Sequence, residues 1–166
     1  MQATPKLYSL VLLLHLLPAC STSTPSQAPT AVETTPSEAA FGQEVLTLVN
    51  AERTAEGLTA LSWNADVADV AWLHAKDMVS RGFFDHINPD GASAGDRLIK
   101  AQISFSAAGE NIAQGHQTAQ EAVQAWMNSP PHRENILHPD FTELGVGIVQ
   151  TSNPNETSWV QVFRTP

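Results

Sequence analysis

Cysteine is almost absent from this chain of 166 residues, since Cys20 is the only one. A single thiol cannot form an intramolecular disulfide, and a zinc site built from several thiolates is excluded as well. No cysteine follows Cys20, so the rest of the chain has no thiol nucleophile. The folded part must therefore be stabilised by its hydrophobic core.

Basic residues are also few: 8 Lys and Arg stand against 17 Asp and Glu, which gives a net charge of −9. Binding to nucleic acid or to an anionic membrane surface depends on clustered Lys and Arg, and this sequence has no such cluster. The composition argues against nucleic acid as a partner. It leaves cations, cell-wall components, proteins and small apolar ligands open.

The apolar run Leu7–Leu17 is too short to span a bilayer comfortably, because a spanning helix needs about 20 apolar residues. It follows Lys6 and ends in Pro18, Ala19 and Cys20, which is typical of an export signal. Small residues before a lone cysteine resemble the lipobox of bacterial lipoproteins. We predict a signal peptide over residues 1–19, a lipid on Cys20 and an extracytoplasmic position at the cell membrane or outer membrane. The alternative is an ordinary secretory signal with an incidental cysteine.

Residues 20–40 are rich in Ser, Thr, Pro, Gln and Ala. Such a composition cannot bury enough apolar surface to offset the entropy of ordering. We predict that this stretch is a flexible linker, and that residues 41–166 form one domain of ordinary size.

Helical patterns come first in that domain. Apolar residues at helical spacing predict a first helix between Phe41 and Glu56, and Asn64 is predicted to cap a second helix that ends at Gly82. His74 lies on the apolar face of the second helix. We interpret it as a core histidine satisfied by one hydrogen bond and leave it out of the candidate site.

Two further helices and then two strands are predicted after Gly82. Asp96 is predicted to cap a short helix, and Thr118 opens a capping box whose helix ends at Pro130. Two runs of β-branched and aromatic residues, 144–149 and 158–163, predict a pair of antiparallel strands.

Three short segments supply the most informative polar side chains, namely His86, Glu110 and His132. Imidazole titrates near neutral pH and binds metal ions, while a partly buried glutamate can orient a ligand, act as a base or bind a cation. If the fold gathers these residues, they form a cation site or a proton-transfer site. Taken alone, Glu110 would more often be a solvated loop residue.

Six segments in order resemble the bacterial branch of the CAP superfamily, which holds cysteine-rich secretory proteins, insect venom antigens and plant pathogenesis-related proteins. The segments are VNAER (49–53), LSWN (61–64), FDH (84–86), GENI (109–112), WMNSPPHRENIL (126–137) and LGVG (144–147). The resemblance implies an α+β fold, an α-β-α sandwich with a central antiparallel sheet between helical layers. It also implies a cleft in which histidines and acidic residues meet.

The cleft of that family commonly carries two histidines and two glutamates. The resemblance assigns His86 and His132 as the histidines and Glu110 as one glutamate, while Ser129 stands where relatives place the other. Pro131 stands where relatives usually have Gly. The resemblance thus implies a three-member site able to hold Zn²⁺ or another divalent cation at His86 and His132, with Glu110 near or in the first shell.

Three functions are compatible with these residues. The favoured one is a binding module for a cell-wall component, a protein or a small apolar ligand. The alternative is a metal-dependent hydrolase of peptides or esters, with His86 and His132 as metal ligands and Glu110 as the catalytic base. The third is a structural role in which the three side chains satisfy each other's hydrogen bonds. Neither Gly-x-Ser-x-Gly nor His-Glu-x-x-His occurs, so the sequence does not indicate a serine hydrolase or a zincin.

Overall fold

The computed structural model describes residues 36–166. The predicted signal peptide, the lipidated Cys20 and the linker up to residue 35 lie outside the described residues. The elements of the described part follow one another in this order: α1 Pro36–Ala55, β1 Ser62–Trp63, α2 Ala65–Arg81, α3 Ala94–Lys100, β2 Ala107–Gln114, α4 Ala119–Met127, α5 Pro130–Ile136, β3 Glu143–Val149, a 3₁₀ turn Pro154–Glu156 and β4 Ser158–Thr165.

The strands form one sheet in the order β1-β3-β4-β2. β4 pairs antiparallel with both β3 and β2, and the two-residue β1 adds a short parallel pair at the β3 edge. The two predicted strands are confirmed as β3 and β4. β2 was not predicted, so Glu110 lies in a strand opposite Val162 rather than in a loop. Pairing with β4 along the whole of β2 overrides the low strand propensity of Gly109, Glu110 and Asn111.

Helices cover both faces of this sheet, which confirms the predicted α-β-α sandwich. Alternate residues of β4 point to opposite faces and are buried on both. The core against α1, α4 and α5 contains Val45, Val49, Val123, Trp126, Leu144, Val146, Ile148, Trp159 and Phe163. The core against α2 and α3 contains Val67, Val70, Ala71, Met78, Leu98, Ile112, Val160 and Val162.

α2 lies directly on the backbone of β3. A Cβ added to Gly145 would lie 2.2 Å from the backbone nitrogen of Ala68, and one added to Gly147 would lie 2.0 Å from that of Trp72. Only residues without a side chain allow this approach. The helix that leads into the His86 loop is therefore held close to the sheet that carries Glu110.

Two of the three predicted helix caps are confirmed. The Asn64 side chain accepts a hydrogen bond from Val67 N, and Thr118 forms a reciprocal capping box with Glu121. α2 ends as predicted, at Gly82 in the left-handed conformation. The third prediction was wrong: Ser93 is the cap of α3, and Asp96 is the third helical residue that closes the box.

The remaining helix ends differ from the sequence-based prediction. α1 begins at Pro36 and not at Phe41, so residues 36–40, assigned to the linker, are helical. The helix predicted to end at Pro130 ends at Met127, and a further helix, α5, begins at Pro130, so His132 lies in a helix. Proline suits the first turn of a helix because the N–H groups there have no intrahelical partner. No helix within 36–166 has the length and apolar character required to cross a bilayer.

Arg53 of α1 is fully buried and joins that helix to the segment after α5. Its guanidinium donates to the carbonyl oxygens of Thr59 (2.9 Å), Ile136 (2.8 Å), His138 (2.8 Å) and Phe141 (3.2 Å). Burial lowers its pKa from the ordinary value. Arg53 is part of the VNAER segment, but nothing in the sequence indicated that its side chain is buried.

Candidate functional site

Glu110 is the centre of the candidate site. Its carboxylate is only 4% exposed, and each oxygen has a short contact with a nitrogen. Oε1 accepts from His86 Nδ1 at 2.9 Å, and Oε2 accepts from Arg97 Nη2 at 2.5 Å. A buried carboxylate is costly unless it is paired and hydrogen-bonded, and here both conditions are met.

His86 lies on the loop between α2 and α3, and its side chain is half-exposed. The Asp85 side chain accepts from Ile87 N, which tightens the loop at this point. Arg97 Nη1 donates to the carbonyl oxygens of His86 (3.1 Å) and Ala92 (2.8 Å). Because an ionised carboxylate only accepts hydrogen bonds, the contact with Glu110 places the proton on His86 Nδ1.

Arg97 is the functional residue that the sequence analysis missed. It extends from the short helix α3, and its side chain is 10% exposed. An arginine four residues after a serine cap is ordinarily a solvated residue of a helix, so no local signal distinguishes it. Only the packing of α3 against β2 brings its guanidinium to Glu110.

His74 borders the same carboxylate from α2. Its Nε2 lies 3.0 Å from the carbonyl oxygen of Asp85 and 3.9 Å from Glu110 Oε1, and its side chain is fully buried. A carbonyl can only accept, so Nε2 carries the proton. Burial lowers the pKa of His74, so the ring is neutral at pH 7. This agrees with the predicted core histidine and its single hydrogen bond, although the residue touches the site.

An asparagine pair holds α5, and with it His132, against β2. Asn111 Nδ2 donates to the carbonyl oxygen of His132 and to Gln161 Oε1, both at 3.0 Å. Asn135 Nδ2 donates to the carbonyl oxygen of Glu110 (3.1 Å) and to Asn111 Oδ1 (2.9 Å). These bonds bring His132 to the strand that carries Glu110. The imidazole of His132 lies close enough to His86 for the charge on His86 to lower the His132 pKa, while Glu110 contacts the ring of His86 directly.

The two imidazoles of the site have pKa values shifted in opposite directions. The hydrogen bond that His86 donates to Glu110 raises the pKa of His86 above the ordinary 6.5. Burial, and next to it the charge on His86, lowers the pKa of His132. His86 therefore contributes stability that is fully present below pH 6.5 and is lost as pH rises through its raised pKa. The contribution of His132 to stability has the opposite pH dependence: it is present above pH 6.5 and is lost as pH falls through the lowered pKa.

We expect an NMR titration of the imidazole C–H resonances to place the pKa of His86 above 6.5 and that of His132 below it. Replacing Glu110→Gln removes the main cause of the His86 shift and should return that pKa toward 6.5. Asp77→Asn, which leaves Glu110 in place, is the control. A His86 pKa that does not respond to Glu110→Gln would contradict the assignment.

The residues of the site do not fit a zinc centre with three protein ligands. No group of three or more His, Cys, Asp or Glu side chains in 36–166 is placed to hold a metal ion. Glu110 is already bound by His86 and Arg97, which leaves two imidazoles, whereas catalytic zinc sites keep three protein ligands. A cation at His86 and His132 stays a prediction from the sequence.

A cavity of about 580 Å³ lies between α2 and α3, next to the candidate site. His74 and Arg97 line it, together with Val70 and Leu73, whereas neither His86 nor His132 does. His74 and Arg97 thus separate this cavity from the carboxylate of Glu110.

Comparison with known proteins gives consistent matches. Residues 46–163 match the family described as the cysteine-rich secretory protein family, CAP. The uncharacterized protein YkwD of Bacillus subtilis is 39% identical over 152 residues, which is 87% of this chain and 58% of that protein. The uncharacterized membrane protein YlbC of Bacillus subtilis is 39% identical over 106 residues, 64% of this chain and 31% of that protein.

A solved structure gives the same result. The crystal structure of an extracellular protein containing a SCP domain from Bacillus anthracis superposes with a TM-score of 0.73 at 35% identity. The match covers 82% of this chain and 45% of that one. The chain thus spans between about a third and three fifths of the length of these relatives, which carry further sequence.

Proposed function

Because the chain belongs to the cysteine-rich secretory protein (CAP) family, we propose that it is an extracytoplasmic binding module tethered to the cell envelope through a lipid on Cys20. Membership confirms the resemblance seen in the sequence, and the relatives include one named as extracellular and one named as a membrane protein. The tether is supported by the apolar run before Cys20 and the polar linker after it. The anchor would place the domain outside the cytoplasm at the cell membrane or outer membrane.

The observation that carries the binding function is the surface of the His86 loop. Phe84 is 48% exposed and Ile87 is 47% exposed, so two large apolar side chains flank a half-exposed imidazole. Exposed apolar side chains grouped on an anchored loop are typical of an interaction site. A cell-wall component, a protein or a small apolar ligand has the apolar surface to cover them.

The chemistry around the imidazoles favours binding over covalent catalysis. No Ser, Thr or Tyr hydroxyl is hydrogen-bonded to the ring of His86 or His132 in the described part of the chain. Nucleophilic catalysis requires a nucleophile within hydrogen-bond reach of its base. The net charge of −9 continues to argue against nucleic acid as the partner.

Hydrolysis of a peptide or an ester is the second candidate, and one observation favours it. His86 Nδ1 donates to Glu110, which leaves Nε2 as the free acceptor of an oriented ring. That is the arrangement of a general base that takes a proton from water. In this version His86 is the base and Glu110 orients it, because the carboxylate is engaged by Arg97.

Removing the apolar flanks of His86 should weaken binding to the envelope. We expect the Cys20→Ser chain, which lacks the lipid, to co-sediment with isolated envelope fragments, and the Phe84→Ser, Ile87→Ser variant to bind about tenfold more weakly. Ile99→Ser is the matched control, since Ile99 is 65% exposed on α3. Equal binding by all three proteins would exclude the loop as the binding surface.

Hydrolysis assays of the Cys20→Ser chain, with and without His86→Ala, distinguish the two functions. Hydrolysis of nitrophenyl esters or of casein that disappears in His86→Ala would establish the hydrolase. Binding without hydrolysis would establish the module.

The lipid anchor has its own test. We expect the wild-type chain, expressed in a bacterial host, to incorporate labelled palmitate and to partition into the detergent phase of Triton X-114. Cys20→Ala should lose the label and move to the aqueous phase, because the chain has no other cysteine to acylate. An unlabelled wild type that is released into the medium would support the ordinary secretory signal instead.

A further inference from the structure

The cavity between α2 and α3 is separate from the binding surface of the His86 loop. Its volume of about 580 Å³ is within the range of small-ligand pockets, about 300–1,000 Å³. Leu73 on α2 and Ala101 at the end of α3 supply apolar surface to it, whereas Phe84 and Ile87 do not line it. A ligand in this cavity would therefore be distinct from one bound at the loop.

Lys76 and Lys100, the lysines of 36–166, both line this cavity, and neither has a carboxylate partner there. The Lys76 ammonium lies 4.7 Å from the centre of the Trp72 ring. The arginines of the same part of the chain are engaged by carboxylates or carbonyl groups: Arg53, Arg81, Arg97, Arg133 and Arg164. In a chain of net charge −9, two unpaired ammonium groups at one cavity indicate an anionic ligand group.

The acidic residues that line the cavity have partners within the protein. Arg81 Nη1 lies 2.6 Å from Asp90 Oδ2 and 3.5 Å from Asp77 Oδ1. Asp96 Oδ2 accepts from Ser93 N at 2.9 Å and from Ser93 Oγ at 2.6 Å. These contacts offset the negative charge next to the lysines, which leaves the ammonium groups for a ligand.

His74 and Arg97 line the cavity from its inner side, and each has a buried nitrogen without a hydrogen-bond partner in 36–166, His74 Nδ1 and Arg97 Nε. Buried polar atoms are rarely left unpaired. His74 Nε2 carries the ring proton, so Nδ1 accepts, while Arg97 Nε donates. A carboxylate cannot donate to Nδ1. A peptide group has both an N–H and a carbonyl oxygen, so it matches the pair.

We propose that this cavity binds a short peptide with a free terminal carboxylate. The carboxylate lies at Lys76 and Lys100, and a peptide group bonds to His74 and Arg97. An apolar side chain of the peptide covers Leu73, which is 50% exposed. The proposal goes beyond the function proposed above and does not depend on it.

Peptide analogues test each part of this recognition without changing the protein. We expect calorimetry of the full chain in phosphatidylcholine nanodiscs to show saturable binding of acetyl-alanyl-leucine. The C-terminal amide of this peptide lacks the charge for the lysines and should bind at least about tenfold more weakly. The depsipeptide, in which an ester replaces the central amide, lacks the N–H for His74 and should lose a similar factor.

Protein variants test the location. The double variant Lys76→Met, Lys100→Met keeps the apolar stems and should bind the peptide at least about tenfold more weakly. Arg133→Met is the matched control, because it removes a half-exposed positive charge that does not line the cavity. Ala101→Phe places a ring at the cavity wall and should abolish binding. Native circular dichroism of each variant shows that the fold is retained.

Four results would overturn the proposal: no binding by the wild type, equal binding of the amidated peptide, unchanged affinity in the lysine double variant, or octanoate binding as tightly as the peptide. The last would mean that the cavity takes acyl chains. The Phe84→Ser, Ile87→Ser variant should bind the peptide as the wild type does. Failure of this proposal is thus distinguishable from failure of the envelope-binding function.

Discussion

Replacing Arg53→Met is expected to lower the free energy of unfolding by about 3–5 kcal/mol. The substitution keeps an apolar stem of similar length but removes every donor to the carbonyl oxygens of Thr59, Ile136, His138 and Phe141. Each of these is left short of a partner in a region from which water is largely excluded, and such groups cost about 1–3 kcal/mol each when nothing relaxes. Urea denaturation followed by circular dichroism measures the change.

Arg133→Met is the matched control for Arg53. Arg133 pairs with Glu56 at 2.7 Å, but the two side chains are 46% and 52% exposed. An exposed pair contributes less than about 1 kcal/mol, so the control should unfold close to the wild type. Three of the four carbonyl groups that accept from Arg53 lie at the end of α5 or in the segment after it. Amide hydrogen exchange in α5 should therefore accelerate in Arg53→Met but not in Arg133→Met. Similar losses in both variants would mean that burial of the guanidinium is not what stabilises this segment.

Gly147→Ala is expected to have an effect of comparable size, about 4 kcal/mol or more, for a different reason. The added Cβ would lie 2.0 Å from the backbone nitrogen of Trp72 and 2.4 Å from the carbonyl carbon of Ala71. Side-chain overlaps relax at a cost of about 1–3 kcal/mol, but here the obstacle is the backbone of α2. The helix must move away from β3, which also displaces the His86 loop that follows it.

Gly95→Ala provides the comparison for Gly147→Ala. Gly95 lies in α3, where an added Cβ would lie 3.4 Å from the Phe105 ring and 3.8 Å from Ser93 Oγ, both ordinary van der Waals distances. Alanine is the better helix former by up to about 1 kcal/mol, so this variant should be as stable as the wild type or slightly more stable. Thermal unfolding and the NMR shift of the His86 ring, compared across the two variants, separate loss of close packing from loss of glycine as such. An undisturbed His86 resonance in a destabilised Gly147→Ala would contradict the coupling between α2 and the site.

How much of this structure can be predicted from the sequence depends on how far apart in the chain the interacting residues lie. Asn64 and Thr118 were identified as caps because the partners of a cap lie within three residues of it. His86, Glu110 and His132 were identified because short motifs of the family carry them in order. Their meeting across the sheet could be expected only from that resemblance.

Two kinds of feature were not predicted: the contacts of long side chains, and a strand that forms because a distant strand pairs with it. Arg53 and Arg97 reach groups that become neighbours only after the helices pack, so their positions in the sequence look like those of solvated arginines. β2 is a strand because β4 pairs with it, although Gly109 and Asn111 disfavour strands. Local sequence patterns indicate neither kind of interaction, since both depend on residues far away in the chain.

The hydrogen bonds that hold α4 and α5 to β2 also protect the edge of the sheet. β2 is the last strand in the order, and the carbonyl oxygens of Glu110 and Ile112, two residues apart, point to the same side of it. Asn135 Nδ2 donates to the first and Trp126 Nε1 donates to the second. These acceptors are consequently not available to a strand from a neighbouring molecule. The proposed lipid on Cys20 would concentrate the protein on a membrane, where edge-to-edge pairing between copies is a route to aggregation.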